Sequence, residues 1–186
     1  MNRLEAYDTA LSDLKVIERK PIEDARGVFL RLFCAQELAS VGWTKPISQI
    51  NWSLTEKQGS VRGLHFQTPP YAEMKMVSCL RGAVWDIVVD IRMGSPTFLQ
   101  WHAEELSSQN ARMMIVPEGF AHGFQVLDPD SEMLYLHTAF YTPEKASGVP
   151  FDDPRLASPW PLTIPVLSSH DKQHPPMSSD FSGIKI

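Results

Sequence analysis

The chain has 186 residues, 43% of them hydrophobic and 21% charged, a balance that suits one globular domain over residues 1–186 and excludes disorder over most of the length. Seventeen Lys and Arg against 22 Asp and Glu leave a net charge of −5, so no global positive field draws the chain to nucleic acid or anionic lipid. Purely apolar runs stay as short as Met113–Pro117, where a membrane-spanning helix needs roughly 20 residues.

From the N-terminus onward, MNRLEAYDTA lacks the apolar core and small-residue cleavage site of a secretory signal, so a reducing cytoplasm is expected. Cys34 and Cys79 form neither a CxxC pair nor a zinc knuckle, and buried packing is their expected role. Fifteen Pro and ten Gly interrupt most windows that could hold a long helix. The best helical segment is the short Ala35–Val41, ended by Gly42. Strands are expected at Leu14–Arg19, Val28–Phe33, Ile47–Leu54, Ser60–His65 and Lys75–Leu80. They continue at Ala83–Ile91, Leu99–Leu106, Met113–Val116, Gly123–Leu127 and Glu132–Ala139, with turn signals such as Asp24–Gly27 and Met93–Pro96 between them. Many short strands at this spacing predict an all-β, antiparallel sandwich or barrel. From Pro143 the sequence becomes Pro-rich and irregular and reads as a packed arm.

Period two assigns faces to these strands. Val61, Gly63 and His65 should share one face and Arg62 and Leu64 the other. Met133, Tyr135 and His137 should point together, as should Lys75, Val77 and Cys79, and Gln49 with Asn51. Polar groups spaced among apolar neighbours in this way predict a barrel whose mouth holds a polar pocket.

Three segments stand out: VRGLHFQ at Val61–Gln67, AVWDIVVDIRMGSP at Ala83–Pro96, and PEGFAHGF at Pro117–Phe124. Pro117-x-Gly119-x-x-His122 has the spacing of the second cupin motif. The first motif of metal-binding cupins carries His-x-His, whereas His65-Phe66-Gln67 lacks the second imidazole. His65, Gln67, Glu73 and His122 make a poor ligand set, since Gln binds metal weakly and Lys75 brings a cation. A functional metal is therefore not expected. Asp86 and Asp90 share a strand face but lie about 13 Å apart at strand rise, too far for a glycosidase pair at roughly 5–9.5 Å. Asp86 is expected to support Lys75 or an arginine.

Taken in order, DARGVF, SVRGLHFQ, KMVSCLRGAVWDIVVDIR with GSPTF, IVPEGFAHGFQVL, MLYLHTAFYTPE, DDP, SPWPL and LSSHD are similar to the dTDP-4-dehydrorhamnose 3,5-epimerase family from Asp24 to Asp171, about 80% of the chain. The resemblance implies a cupin-type antiparallel jelly-roll barrel with short flanking helices and a packed C-terminal arm. It implies a cytoplasmic, homodimeric isomerase of dTDP-rhamnose and carbohydrate biosynthesis, acting without a cofactor on a nucleotide-sugar substrate, with no nucleic-acid or membrane partner.

Epimerisation beside a ketone requires a base on one face, a stabilised enolate and an acid on the other face. By resemblance, His65 is the base, Asp171 the carboxylate that orients it, Tyr135 the acid and Lys75 the cation on the enolate oxygen. Arg26 and Arg62 then contact the nucleotide, Gln49 and Asn51 bind substrate, Tyr141 stacks on the pyrimidine, and His122 lines the site. Two positions depart from the family pattern. Arg31 stands where an acidic residue is usual, and a guanidinium cannot accept a thymine N–H. Leu136 replaces the usual lysine after Tyr135. The number of inverted carbons, one or two, is left open. Two other classes compete: a metal-dependent cupin oxygenase or isomerase, and a non-catalytic module that binds a nucleotide sugar.

Overall fold

Alternating apolar residues sort the chain into two antiparallel sheets packed face to face in the computed structural model, which describes residues 2–164 and 166–186. The hairpin of β1 (Leu4–Asp8) and β2 (Lys15–Arg19) comes first, and β3 (Ile22–Asp24) with β4 (Gly27–Phe29) forms a second hairpin that is exposed along its length. A short helix, α1 (Ala35–Ala39), leads to the body of the fold. That body comprises β5 (Gln49–Thr55), β6 (Val61–Gln67), β7 (Lys75–Arg81), β8 (Ala83–Asp90), β9 (Trp101–Ser107), β10 (Arg112–Val116), β11 (Phe120–Val126) and β12 (Ser131–His137). A short strand, β13 (Ala146–Gly148), pairs with β6.

The first sheet runs β1-β2-β10-β7-β12-β5 and the second β13-β6-β11-β8-β9. Their facing sides share one core, with Val77, Cys79, Met114 and Met133 from the first sheet against Val88, Leu106, Phe120 and Phe124 from the second. Each sheet also covers its outer face. Ile17, Met76, Met113 and Leu136 lie under Leu38 of α1 and Trp43. Leu64, Ile87 and Val89 lie under Val149, Leu156 and the C-terminal residues Trp160, Met177, Phe181 and Ile184. Burying such side chains stabilises a fold by about 1.5–3 kcal/mol each. The arm is therefore part of the packed structure, and Ile184 fastens its end through N–H donation to Ile91 O at 2.8 Å.

This is the expected all-β jelly roll, with strand ends within a few residues of the sequence reading. The exceptions are β1, β3 and β13, which the sequence did not suggest, and Val28–Phe33, of which β4 takes only the first part. Phe33 and Cys34 leave the strand to pack with Leu38 and Trp43. Cys79 is buried and Cys34 half-buried, and both are free thiols. Among the described residues no helix is long and apolar enough to cross a membrane.

Candidate active site

One face assignment is corrected. On β6, Arg62 was expected opposite His65, but both line the same pocket. The pairing of β6 with β11 explains this: His65 faces His122 and Arg62 faces Phe124, so three steps along β6 match two along β11. The extra residue is a bulge, which reverses the alternation locally. Gly63 sits within it at φ +115°, and a Cβ there would lie 2.7 Å from Gly123 Cα. Leu64 is left facing the outer core. Arg62 is anchored by donating to Thr55 Oγ1 at 2.9 Å and to Leu54 O at 3.3 Å.

The pocket opens between the two sheets with a volume of about 360 Å³, and an adjoining lobe shares His65, Lys75, His137 and His170 with it. His65 Nε2 lies 2.6 Å from Asp171 Oδ1. The C-terminal arm delivers that carboxylate on a single 3₁₀ turn, Asp171–Gln173. Burial works against ionisation of Asp171, but the hydrogen bond and charge of His65, helped by Ser168 and the Gly63 N–H, prevail and hold its pKa at about 2. An ionised carboxylate only accepts, so His65 Nε2 carries the proton and Nδ1 holds the ring's lone pair. Ring nitrogens of His170 and His174 also approach the same oxygen, at 3.6 and 3.9 Å.

Lys75 and His137 end neighbouring strands β7 and β12 and are paired in register. Between them sits Glu73, 3.2 Å from Lys75 Nζ and 2.9 Å from His137 Nδ1. Asn51 Nδ2 lies 3.3 Å from His137 Nε2, which sets the ring as acceptor there and as donor to Glu73. Burial pushes the Glu73 pKa up, but His137 and Lys75 outweigh it and the net shift is downward. Lys75 Nζ also donates to the His65 backbone O at 3.4 Å, and both side chains line the pocket.

Tyr135 comes from the first sheet, with its hydroxyl 2.9 Å from Ser53 Oγ. Burial raises its pKa strongly, with Ser53 and Arg62 opposing the shift, so the phenol stays protonated. His122 Nε2 lies 2.9 Å from both oxygens of Asp86. Asp86 was expected to support Lys75 or an arginine; its hydrogen-bond partner is instead His122, which neighbouring strands β8 and β11 place diagonally beside it, and Lys75 acts on it through charge alone. Burial raises the Asp86 pKa against the opposing pull of His122.

Of the residues singled out from the sequence, His65, Lys75, Tyr135, Asp171, Asn51, Arg62 and His122 line the pocket, and Tyr141 lines the adjoining lobe. Gln49 sits at the rim, donating to Asn51 Oδ1 and accepting the Tyr141 N–H, each at 3.1 Å. Arg26 lies outside, exposed on the β3–β4 hairpin and bound to Asp24. Arg31 pairs with Glu37, whose other oxygen accepts the Arg3 and Leu4 N–H groups at 2.6 and 2.9 Å. It thus ties down the N-terminus rather than facing the pocket. His137, Ser53 and His170 were not singled out for the site, and Glu73 was weighed only as a metal ligand. The alternation placing His137 with Tyr135 was the available signal for the first of these.

The cupin-type ligand set does not converge. Gln67 spends its amide on Tyr71 O, Phe140 O and the Thr142 N–H, Glu73 on Lys75 and His137, and His122 on Asp86. What the pocket does hold is an imidazole paired with a buried carboxylate, a neutral phenol and the Lys75 ammonium. Groups of these three kinds are able to take a proton from a carbon acid and return one.

Residues 8–179 match the family described as dTDP-4-dehydrorhamnose 3,5-epimerase. An enzyme of that description from Sinorhizobium fredii is 40% identical over 185 residues, covering 95% of this chain and 93% of its own length. Among solved structures, the Bacillus anthracis enzyme with TDP and pyrophosphate bound superimposes at a TM-score of 0.90, with 38% identity, covering 94% of this chain and 99% of that one. The Legionella pneumophila 3,5-epimerase in complex with dTDP-4-keto-L-rhamnose gives 0.87 and 40% identity, covering 91% and 90%.

Proposed function

The chain belongs to the dTDP-4-dehydrorhamnose 3,5-epimerase family, and from that membership we propose that it inverts one or two carbons beside the ketone of a dTDP-linked 4-keto-6-deoxy sugar, with His65 as base and Tyr135 as acid. The observation that carries the division of labour is the 2.6 Å contact between His65 and Asp171 in the same pocket as Tyr135 and Lys75.

The steps follow from the groups. The Nδ1 lone pair of His65 removes the proton α to the ketone, and the C–H electron pair moves into an enolate. Asp171 stabilises the imidazolium that results, while the Lys75 ammonium faces the oxygen on which negative charge grows. Preorganised charge of this kind is worth about 3–4 kcal/mol per donor in a water-poor site. The Tyr135 phenol then gives its proton to the carbon from the opposite face, and Ser53 and Arg62 relieve the phenolate. Proton exchange with solvent resets both groups.

The remaining assignments belong to the same proposal. Arg62 takes the diphosphate, Asn51, Gln49 and His122 hold the sugar, and Tyr141 stacks on the base. The working unit is a homodimer, because Val28 and Phe29 of the exposed hairpin are 66% and 67% exposed and Ile50 and Trp52 of the edge strand β5 are 59% and 56% exposed. Exposed apolar patches of this kind mark association surfaces. A second copy seated there gives Arg26 a nucleotide to reach. Residues 1–186 act as one domain, since the arm that covers the second sheet also supplies Asp171. A cytoplasmic location fits the two free thiols. The test is a panel of nucleotide-linked 4-ketosugars in deuterated buffer: the dTDP-linked substrate gains deuterium beside the ketone, and absence of label from every member rejects the reading.

A further inference from the structure

We propose that His65, His170, Asp171 and His174 form a binding site for one Zn²⁺ ion, and that the ion silences the enzyme reversibly by taking the proton-abstracting imidazole. The consequence for activity rests on the epimerase reading above, whereas the binding does not.

Each of the four residues turns one ligand atom into the group, and these atoms all lie within 4.8 Å of one another. Asp171 Oδ1 stands 2.6, 3.6 and 3.9 Å from ring nitrogens of His65, His170 and His174. Tetrahedral zinc with bonds of about 2.0–2.1 Å spaces its ligand atoms by roughly 3.3–3.4 Å. The observed separations straddle that value, so small rotations of the rings suffice to close the shell. Three imidazoles and one carboxylate suit zinc and exclude the hard, oxygen-seeking Mg²⁺ and Ca²⁺.

A second observation points the same way. The His174 side chain is only 10% exposed, and its buried Nε2 has no hydrogen-bond partner among the described residues. A polar atom left so costs about 1–3 kcal/mol. The ring is nonetheless seated firmly, because it occupies space that Gly148 leaves and a Cβ there would strike it. Catalysis gives His174 no task, and a cation would give its Nε2 one.

Neutral His65 has a single lone pair. If Nδ1 binds zinc, that pair is used; if Nε2 binds, the ring proton moves to Nδ1. Either way no base faces the substrate. Four protein ligands also leave a tetrahedral ion no open position for substrate.

Zinc chloride titrated calorimetrically into the chelator-treated full-length protein should give one ion per chain, and Co²⁺ in its place should give the strong visible absorption of a tetrahedral site. His174→Ala should weaken zinc at least about tenfold, since even loss of an outer partner costs that much. The metal-free variant should keep wild-type deuterium exchange and resist a zinc concentration that stops the wild type. His170→Ala, read by binding and cobalt absorption, replaces it if the first variant does not fold. Absence of binding, or unchanged affinity in the folded variant, overturns the proposal without touching the epimerase reading. Zinc bound at one per chain in a protein that labels no ketosugar would overturn that reading instead and leave the site.

Discussion

Asp171 meets His65 at 2.6 Å across 106 positions of sequence, so the arm that closes the second sheet also supplies the carboxylate of the proposed base pair. Asp171→Asn keeps the shape but replaces an anion by an amide that cannot stabilise the imidazolium. The expected loss in deuterium exchange is on the order of 10²–10⁴-fold, with an unchanged circular dichroism spectrum. Exchange within twofold of wild type would remove Asp171 from the mechanism.

Glu73 links stability to pH. Its folded pKa lies below the ordinary 4.5 because His137 and Lys75 outweigh burial. The stabilisation it contributes is therefore complete above 4.5 and disappears as pH falls through the lower folded value. Denaturant unfolding between pH 6 and pH 3 should show this acid slope, and Glu73→Gln should flatten it. An identical slope in the variant would assign the acid sensitivity to other carboxylates.

Gly63 sits in the bulge that brings Arg62 and His65 to the same pocket. In Gly63→Ala the new Cβ meets Gly123 Cα and His122 O at 2.7 Å, at a φ of +115° that side chains avoid. Backbone strain of this kind costs about 1–3 kcal/mol, and the steric clash adds to it. A lowered melting temperature together with lost exchange is expected. A variant as stable and active as the wild type would show that the bulge is not what aims the imidazole.

The sheets themselves were legible because short β-rich runs bounded by turn signals mark β7, β8, β10 and β12, and period two placed Tyr135 with His137 and Lys75 with Val77 on the correct faces. Period counting failed at Arg62, where a bulge invisible in hydropathy reverses the alternation. It could not suggest β13, three half-buried residues that exist as a strand only because β6 offers an edge. Asp171 was reached through family resemblance alone, since nothing local distinguishes a carboxylate on a Ser-rich turn. The partners of Glu73, Asp86 and Arg31 are set by strand neighbours and chain crossings that local sequence does not encode.

The exposed apolar surface predicts the oligomeric state. Phe29→Asp places a charge on the β4 patch and should convert a dimer to a monomer in sedimentation velocity, with nucleotide affinity falling alongside as Arg26 loses its place. A wild-type protein that sediments as a monomer at micromolar concentration would contradict the dimer.

The two-face mechanism is tested most directly by Tyr135→Phe with the dTDP-linked 4-ketosugar in deuterated buffer, following label and configuration together. His65 should still exchange the proton on its own face, while the inverted product falls by roughly 10²–10⁴-fold. Inversion at the wild-type rate, or loss of exchange with His65 and Asp171 intact, would contradict the assignment of Tyr135 as the opposing acid.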